Sequence, residues 1–471
     1  MRRLPRLLGL AAGLTLTALH AADDHVGVCT HFDQGWSVPE IMPMIADLGV
    51  GWIRDGVSWA DVEPEKGQYR IPAKTTAWLD AAHEHHLRVL LLLGYGNKIY
   101  ADPFSPQAYA RAAAFLARRL ANRVDAIEVL NEPNNPDFGP TYGGKWNGKE
   151  DDGSVSPYVR AYVNVLTATV AAVKKANPHI LVIGYGAPAP ATFRMIALGP
   201  PPLLDGITDH PYSGGRKLPE FIPYAATPDL LQRDGIATAD EEGTYRSQCA
   251  LFRVQEAKYG LHAALWNTEW GYSTALPPNE KENEVVTPEA QAVYVLRRLL
   301  EARVLGVMSF YYLFRDDGGD LHQAWQNLGL VDIKLKPKPA FYAFQRFARD
   351  FAHLDGDGTA DGFSIFTEST LSHDTRCYAY HDAGKQDRWI ACWDVESAPP
   401  VKGASDPGID NPGPSESAKL LVPPACTATH AEEVDFLTGN RTPLSFAGEG
   451  SGVRSIRVLL SGAPSVIHFY P

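Results

Sequence analysis

The chain has 471 residues, more than one ordinary core accommodates, so a large barrel or two domains is expected. Its 43 basic and 55 acidic residues give a formal charge of −12, which argues against a nucleic-acid or anionic-membrane partner.

At the N-terminus Arg2, Arg3 and Arg6 precede an apolar stretch over 7–19 and the small residues Ala21 and Ala22. This is the pattern of a secretory signal peptide, too short for a membrane span. Residues 1–21 are therefore expected to be removed and the mature protein to be secreted or periplasmic. No later run is long and apolar enough to cross a bilayer, and Cys29 lacks the small-residue box of a lipoprotein, so no membrane anchor is expected.

Short apolar runs then alternate with helical stretches. A strand at 26–28 is followed by a helix near 39–48, a strand at 52–54 and a helix over 72–86 that starts on a proline. Residues 88–93 are apolar on both faces, as a strand buried in a parallel sheet must be. A helix over 106–120, a strand at 126–131, a helix over 158–176 and a strand at 180–184 follow. The sixth strand spans 206–210, and a helix over 245–259 leads to a seventh ending near Glu269. A helix over 288–305, a strand at 307–312 and a helix over 337–354 complete the count. Eight alternations predict a (β/α)8 TIM barrel over residues 22–354. From 355 the texture changes to short β-rich runs at 362–367, 376–381, 388–393, 453–460 and 465–470. They surround a Pro/Gly/Ser stretch at 397–417 with no expected regular structure. A small antiparallel β-sandwich domain over 355–471 is the simplest reading.

Five cysteines lie beyond the signal segment: Cys29, Cys249, Cys377, Cys392 and Cys426. An odd number in an exported chain leaves at least one thiol free or paired with another molecule. Cys377 and Cys392 are placed to face each other on neighbouring strands, and no CxxC pair suggests zinc.

Three motifs fail on inspection. Residues 143–149 nearly spell a phosphate-binding loop, but Glu150 stands where Ser or Thr is needed and no strand precedes it. His83, Glu84, His85 and His86 have the wrong spacing for a zinc helix and end a helix, where histidines favour the dipole. Residues 355–362 lack the glycine and glutamate of a calcium loop. No metal and no cofactor is expected.

Glu132, in Asn131-Glu132-Pro133, and Glu269, in Thr268-Glu269-Trp270-Gly271, each end a strand-length apolar run. In a (β/α)8 barrel that places both at the mouth where such folds do chemistry. These motifs, with Trp52-Ile53-Arg54-Asp55, Trp59, residues 62–69, His210-Pro211-Tyr212 and residues 337–342, resemble clan A of the glycoside hydrolases. The resemblance covers about 26–350 and is closest to family 39, its β-xylosidases and its exopolysaccharide-cleaving relatives. It implies a retaining hydrolase of β-linked poly- or oligosaccharides with Glu132 as acid/base and Glu269 as nucleophile.

Retaining hydrolysis needs one carboxylic acid to protonate the leaving oxygen and one carboxylate to attack the anomeric carbon, so the two must differ in pKa. Arg54 would hold Glu269 ionised. Asn131 would bond the sugar 2-hydroxyl, His210 and Tyr212 would orient the nucleophile or line the site, and His31 would bind substrate. Trp36, Trp59, Tyr95, Trp146, Trp270, Tyr272, Tyr312 and Trp325 are stacking candidates. Among them Trp146 leads, because its polar, glycine-rich loop offers no core to enter, and Trp270 is also expected at the substrate. A transglycosylase on the same site, or a glycan-binding protein on a decayed barrel, are the competing readings. Two intact carboxylates weigh against the latter.

Overall fold

The computed structural model describes residues 22–135, 137–214, 218–276, 285–356, 358, 360–367, 374–382, 388–395, 416–449 and 453–471. The expected signal segment and most of the Pro/Gly/Ser stretch lie outside the described residues. Eight parallel strands, β1 (Asp23–Cys29), β2 (Val50–Ser58), β3 (Arg88–Gly94), β4 (Ala126–Val129), β5 (Leu181–Tyr185), β6 (Gly206–Asp209), β7 (Ala264–Asn267) and β8 (Met308–Tyr311), form a closed barrel. They pair in chain order, and β8 closes on β1 through Gly27 and Phe310. The run in β3 is apolar on both faces because one face fills the barrel and the other packs under helices.

Helices Pro106–Arg119, Pro157–Ala176 and Pro288–Val304 each begin on proline, whose missing N–H is an orphan of the first turn in any case. The same rule explains a helix absent from the sequence reading. Ala189–Ala197 lies between β5 and β6, with Pro188 before it and Pro190 in its first turn. Those prolines read as loop in sequence but fit a helix start.

The floor of the barrel is aromatic. Trp52 meets Trp266 edge-on at 5.4 Å, and Trp266 stacks on Phe310 at 5.9 Å. Gly27 makes room for them, since an added Cβ would stand 2.5 Å from the Phe310 ring. Side chains two residues apart share a strand face. One step above this floor the inward positions therefore carry Cys29, Arg54 and Thr268, all buried. A polar layer rests on an apolar plug.

After the helix Pro339–Phe351 come β9 (Asp355–Gly356), β10 (Ser364–Thr367), β11 (Thr375–His381), β12 (Arg388–Asp394), β13 (Glu416–Val422), β14 (His430–Val434), β15 (Arg441–Leu444), β16 (Ala447–Gly448), β17 (Arg454–Leu460) and β18 (Ser465–Tyr470). They form two antiparallel sheets, ordered β10-β13-β17-β16 and β15-β14-β18-β12-β11-β9. Leu420, Ile456 and Val458 of one sheet share a core with Ile390, Ile467 and Phe469 of the other, which makes a sandwich. Its strands outnumber the five runs legible in sequence, and β13 begins at Glu416 inside the stretch expected to be irregular. Cys377 and Cys392 are directly opposed in the β11–β12 ladder and are joined by a disulfide, while Cys29, Cys249 and Cys426 are free and buried. Among the described residues no helix is long and apolar enough to cross a membrane.

The sandwich covers the helix Pro288–Val304, which is why that helix buries Arg297, Arg298 and Glu301 along with its apolar face. Arg297 pairs with Glu220 at 2.6 Å, both side chains fully buried, and donates to the carbonyls of Gly462 (3.3 Å) and Val395 (3.5 Å). Trp393 of β12 donates its indole N–H to the same Glu220 (2.8 Å). One carboxylate thus bonds to a barrel helix and to the sandwich at once. Glu220→Ala leaves the buried guanidinium without a counter-ion, held only by two carbonyls, and the indole without its acceptor, so it should lower the unfolding free energy by about 3–5 kcal/mol. Urea denaturation of wild type and variant at one pH measures this, and a loss below about 1 kcal/mol would contradict it.

Candidate active site

The two glutamates reach the same space by different routes. Glu269 lies two residues beyond β7, which ends at Asn267. Glu132 lies three beyond β4, after a chain turn through the left-handed region at Leu130 (φ 62°) and at Glu132 itself (φ 40°). Such conformations cost of order 1–3 kcal/mol each in non-glycine residues and persist only where the surroundings enforce them. Here Leu130 is buried, and its N–H donates to Leu93 O and to the Tyr109 hydroxyl, both at 3.2 Å. The turn swings the Glu132 carboxylate over the barrel axis.

An oxygen of Glu132 and one of Glu269 lie within 4.8 Å of each other, and both are within that distance of a His210 ring nitrogen. They line a cavity of about 530 Å³ at the C-terminal mouth of the barrel. Their partners differ. Glu269 is buried, accepts from Arg54 Nη1 at 2.6 Å and receives the Tyr212 hydroxyl at 3.4 Å. Burial, then the charge of Glu269, pushes the Tyr212 hydroxyl well above the usual tyrosine range, so it stays a donor. Glu132 is partly exposed, faces His210 Nδ1 at 2.9 Å and accepts from Asn135 Nδ2. Burial raises the Glu132 carboxyl, but the hydrogen bond and charge of His210, with the charge of Arg54, outweigh it and hold it below the usual glutamate range. Burial opposes the charge on His210, yet Glu269 and Glu132 push its pKa up to about 9. One proton is held between Glu132 and His210.

Arg54 organises the floor of the site. Its Nε donates to Glu128 (2.5 Å), its Nη1 to Glu269 and its Nη2 to Asn131 Oδ1 (2.8 Å). Glu128 takes a further hydrogen bond from Thr268 Oγ1 (2.9 Å), and that hydroxyl lies 3.1 Å from His210 Nε2. The Cys29 thiol, kept protonated by burial, donates to Thr268 O at 3.2 Å.

The sequence reading misses Glu128 and Thr268 as members of the site. Their signal is present, since Glu128 is the one charged residue between Ala126 and Leu130, but a lone acid in a strand also fits an edge position. Asp55 is missed as well. Burial pushes its carboxyl up to about 7, against donation from the Thr30 hydroxyl (2.7 Å) and the Phe32 N–H (2.6 Å), and it fixes the loop that carries His31.

Glu132, Glu269, Arg54, Asn131, Tyr212 and His31 all line the cavity, with Tyr95, Tyr312 and Trp325. His31 lies 3.0 Å from Asp317 and 3.3 Å from the Tyr312 hydroxyl. His210 touches both carboxylates from behind. Two residues that the sequence places at the substrate, Trp270 and Trp146, do not line this cavity. Trp270 is buried behind the site, packed edge-on against Tyr311: β7 ends at Asn267, and the strict in-out alternation stops with it, since Thr268 and Glu269 both turn to the site. Its indole N–H bonds Ser309 Oγ (2.9 Å) and its ring lies near Arg298. Trp146 borders a separate polar groove, where Arg233 sits 5.0 Å from its ring centre and Tyr224 lies 6.4 Å away. Trp59 and Tyr272 are core, and Trp36 is buried with its N–H on Asp317 (3.2 Å).

Glu132, His210 and Glu269 also have the spacing of a metal site. The Arg54 guanidinium on Glu269 and the protonated His210 oppose a second cation there, so the donor set fits a metal poorly.

No protein-family model and no curated protein matches the chain. Solved structures do. The chain is similar to a family 39 glycoside hydrolase from the gut symbiont Bacteroides cellulosilyticus WH2, with a TM-score of 0.67 and 19% identity over 95% of this chain and 81% of that one. It is similar to a glucosidase from Croceicoccus marinus (TM-score 0.55, 13% identity, 96% of each chain). A GH30 endoxylanase from Clostridium papyrosolvens C71 also matches (TM-score 0.51, 9% identity, 96% of this chain and 98% of that one). At these identities the likeness is one of fold: a (β/α)8 barrel followed by β-sheets.

The two linked shifts set a stability window. The raised value for His210 contributes stability in full below its unfolded value of about 6.5, lost as pH rises through about 9. The lowered Glu132 contributes above about 4.3 and is lost as pH falls below it. Unfolding free energies from pH 4 to 10 should therefore decline between about 6.5 and 9, and His210→Gln should remove that part of the decline. An identical slope in the variant would overturn the assignment.

Proposed function

We propose that this protein is a retaining glycoside hydrolase of β-linked poly- or oligosaccharides. Glu269 is its nucleophile and Glu132 its acid/base. The observation that carries the reading is the spacing and unlike wiring of the two carboxylates. Oxygens within 4.8 Å suit the retaining mechanism, which needs carboxyls about 5–5.5 Å apart, and leave too little room for an inverting enzyme's water. The Arg54 guanidinium pairs with Glu269 and the Tyr212 hydroxyl donates to it, an environment that suits a carboxylate attacking the anomeric carbon. The proton shared by Glu132 and His210 stands on the other wall of the cavity, where the leaving oxygen must be protonated. In the first step Glu269 bonds to the anomeric carbon as the glycosidic C–O bond breaks and its oxygen takes that proton. In the second, water attacks the same carbon, returns a proton to Glu132 and frees Glu269.

Asn131 is positioned by Arg54 to meet a sugar hydroxyl. The exposed rings of Tyr95 and Trp325 at the rim offer faces for sugar stacking. Export is part of the reading. The Arg-rich, apolar N-terminus supports it, and a disulfide between Cys377 and Cys392 suits an oxidising compartment.

Azide separates the two roles. Glu269→Gly should abolish turnover of an aryl β-glycoside, and azide should restore only direct displacement, giving the α-glycosyl azide. Glu132→Ala should lose about 10²–10⁴-fold on poor leaving groups, retain good ones, and give the β-glycosyl azide. Swapped products would reverse the assignment, and an inverted first-formed sugar from wild type would replace the mechanism.

Turnover should also survive exhaustive chelation, because Arg54 already occupies the charge that a cation would balance. Activity lost to chelator and regained only with a divalent metal would make Glu132, His210 and Glu269 a metal site instead.

A further inference from the structure

We infer that Thr268 and Glu128 are positioning residues that lock His210 in its Nε2–H tautomer. The shared proton is thereby confined to the Glu132 side of the ring. The catalytic consequence rests on the glycosidase reading above; the tautomer does not.

The argument is a proton count along one chain of hydrogen bonds. Glu128 is 1% exposed and receives Arg54 Nε–H on Oε2 at 2.5 Å. A carboxylate paired with guanidinium only accepts. The single hydroxyl proton of Thr268 therefore goes to Glu128 Oε1, at 2.9 Å. Thr268 Oγ1 then has only lone pairs to offer His210 Nε2, at 3.1 Å, so that nitrogen must carry a hydrogen. In the neutral ring the other nitrogen, Nδ1, is left with a lone pair. Nδ1 faces Glu132 Oε1 at 2.9 Å, a contact that closes only with a proton in it.

The charged groups around the ring agree with that count. Glu132 from β4 lies 2.9 Å from Nδ1 and Glu269 from beyond β7 lies 3.8 Å from it. Arg54 from β2 acts on the ring through Glu128 and Glu269, and Asp209 adjoins it on β6. No described hydrogen bond brings another donor to Nδ1, so the lone pair must be met by the proton of the Glu132 pair.

Both chemical steps use this arrangement. When the glycosidic oxygen takes the shared proton, Glu132 is left as a carboxylate opposite the Nδ1 lone pair. That repulsion raises its basicity as the second step needs a base. Water's oxygen bonds the anomeric carbon, the Glu269–carbon bond breaks, and water's proton returns between Glu132 and Nδ1. The opposite neutral tautomer, with hydrogen on Nδ1, would donate to the Glu132 carboxylate and weaken it in both roles. Excluding that tautomer is the task of Thr268 and Glu128, neither of which lines the cavity.

Nitrogen-15 NMR of histidine-labelled protein tests the lock without any substrate. The chain has 15 histidines, so His210 is identified by difference from His210→Gln. Above the pH at which the ring loses its charge, wild-type His210 should show a protonated Nε2 and an unprotonated Nδ1. A protonated Nδ1 in neutral wild-type His210 overturns the proposal with no variant needed. In Thr268→Val the Nε2–H preference should disappear, and in Thr268→Ser it should return. With aryl β-glycosides, Thr268→Val should lose about tenfold or more on phenol-class leaving groups relative to dinitrophenol. It should also shift the alkaline limb of kcat/KM, and Thr268→Ser should restore both. A Thr268→Val enzyme with wild-type tautomer and wild-type alkaline limb would overturn the role of Thr268. A wild type that hydrolyses no β-glycoside, yet shows the Nε2–H ring, would overturn the glycosidase reading and leave the lock standing.

Discussion

The guanidinium of Arg54 holds three strands of the barrel to one another at its mouth. From β2 it reaches Glu128 on β4, Asn131 beyond β4 and Glu269 beyond β7. Two buried carboxylates would repel each other and resist burial without a cation between them, and breaking such a group leaves charge uncompensated at a cost of about 3–5 kcal/mol. Arginine suits the position where lysine would not, because its planar fork directs separate N–H bonds to separate acceptors. The distance between Glu132 and Glu269 follows from this clamp on one side and from the Leu130–Glu132 turn on the other.

The apolar floor makes that charge cluster affordable. Trp52, Trp266 and Phe310 seal the barrel from below, so the polar layer of Cys29, Arg54, Glu128 and Thr268 opens only toward the cavity. Each member of the layer has a partner within it, as buried polar groups require. The result is a buried, hydrogen-bonded base beneath the partly exposed Glu132, Asn131 and His210, and fixed hydrogen bonding of that kind is what a preorganised site needs.

On the far side, the sandwich acts on the same barrel through the helix Pro288–Val304. Glu220 joins Arg297 to Trp393, while Tyr378 and Tyr380 of β11 bond Glu301 (3.2 Å) and the Leu300 carbonyl (3.0 Å). Arg298 on that helix lies over Tyr245 and near Trp270, the residue next to Glu269. The second domain therefore reaches the neighbourhood of Glu269 through packing, with none of its described residues in the cavity.

The sequence by itself determined the barrel and the pair of glutamates. Eight apolar runs of strand length in alternation with helices are a local, periodic signal, and Glu132 and Glu269 stand at the ends of two of them. It also placed Cys377 opposite Cys392, because both lie in short strands joined by a brief connection. Tertiary structure alone decided the rest. Glu128 and Thr268 act only through contacts that join β2 and β4 to the residues just beyond β6 and β7, 58 to 140 positions apart in the chain. No local pattern encodes such a contact. Trp270 and Trp146 fell the other way for the same reason: both sit beside the candidate motifs in sequence, yet the chain leaves strand geometry after Asn267 and packs one against Ser309 and Tyr311, and a loop's fold against Arg233 carries the other away. The helix Ala189–Ala197 was hidden by prolines whose meaning depends on whether a helix begins there, and packing on the barrel decides that.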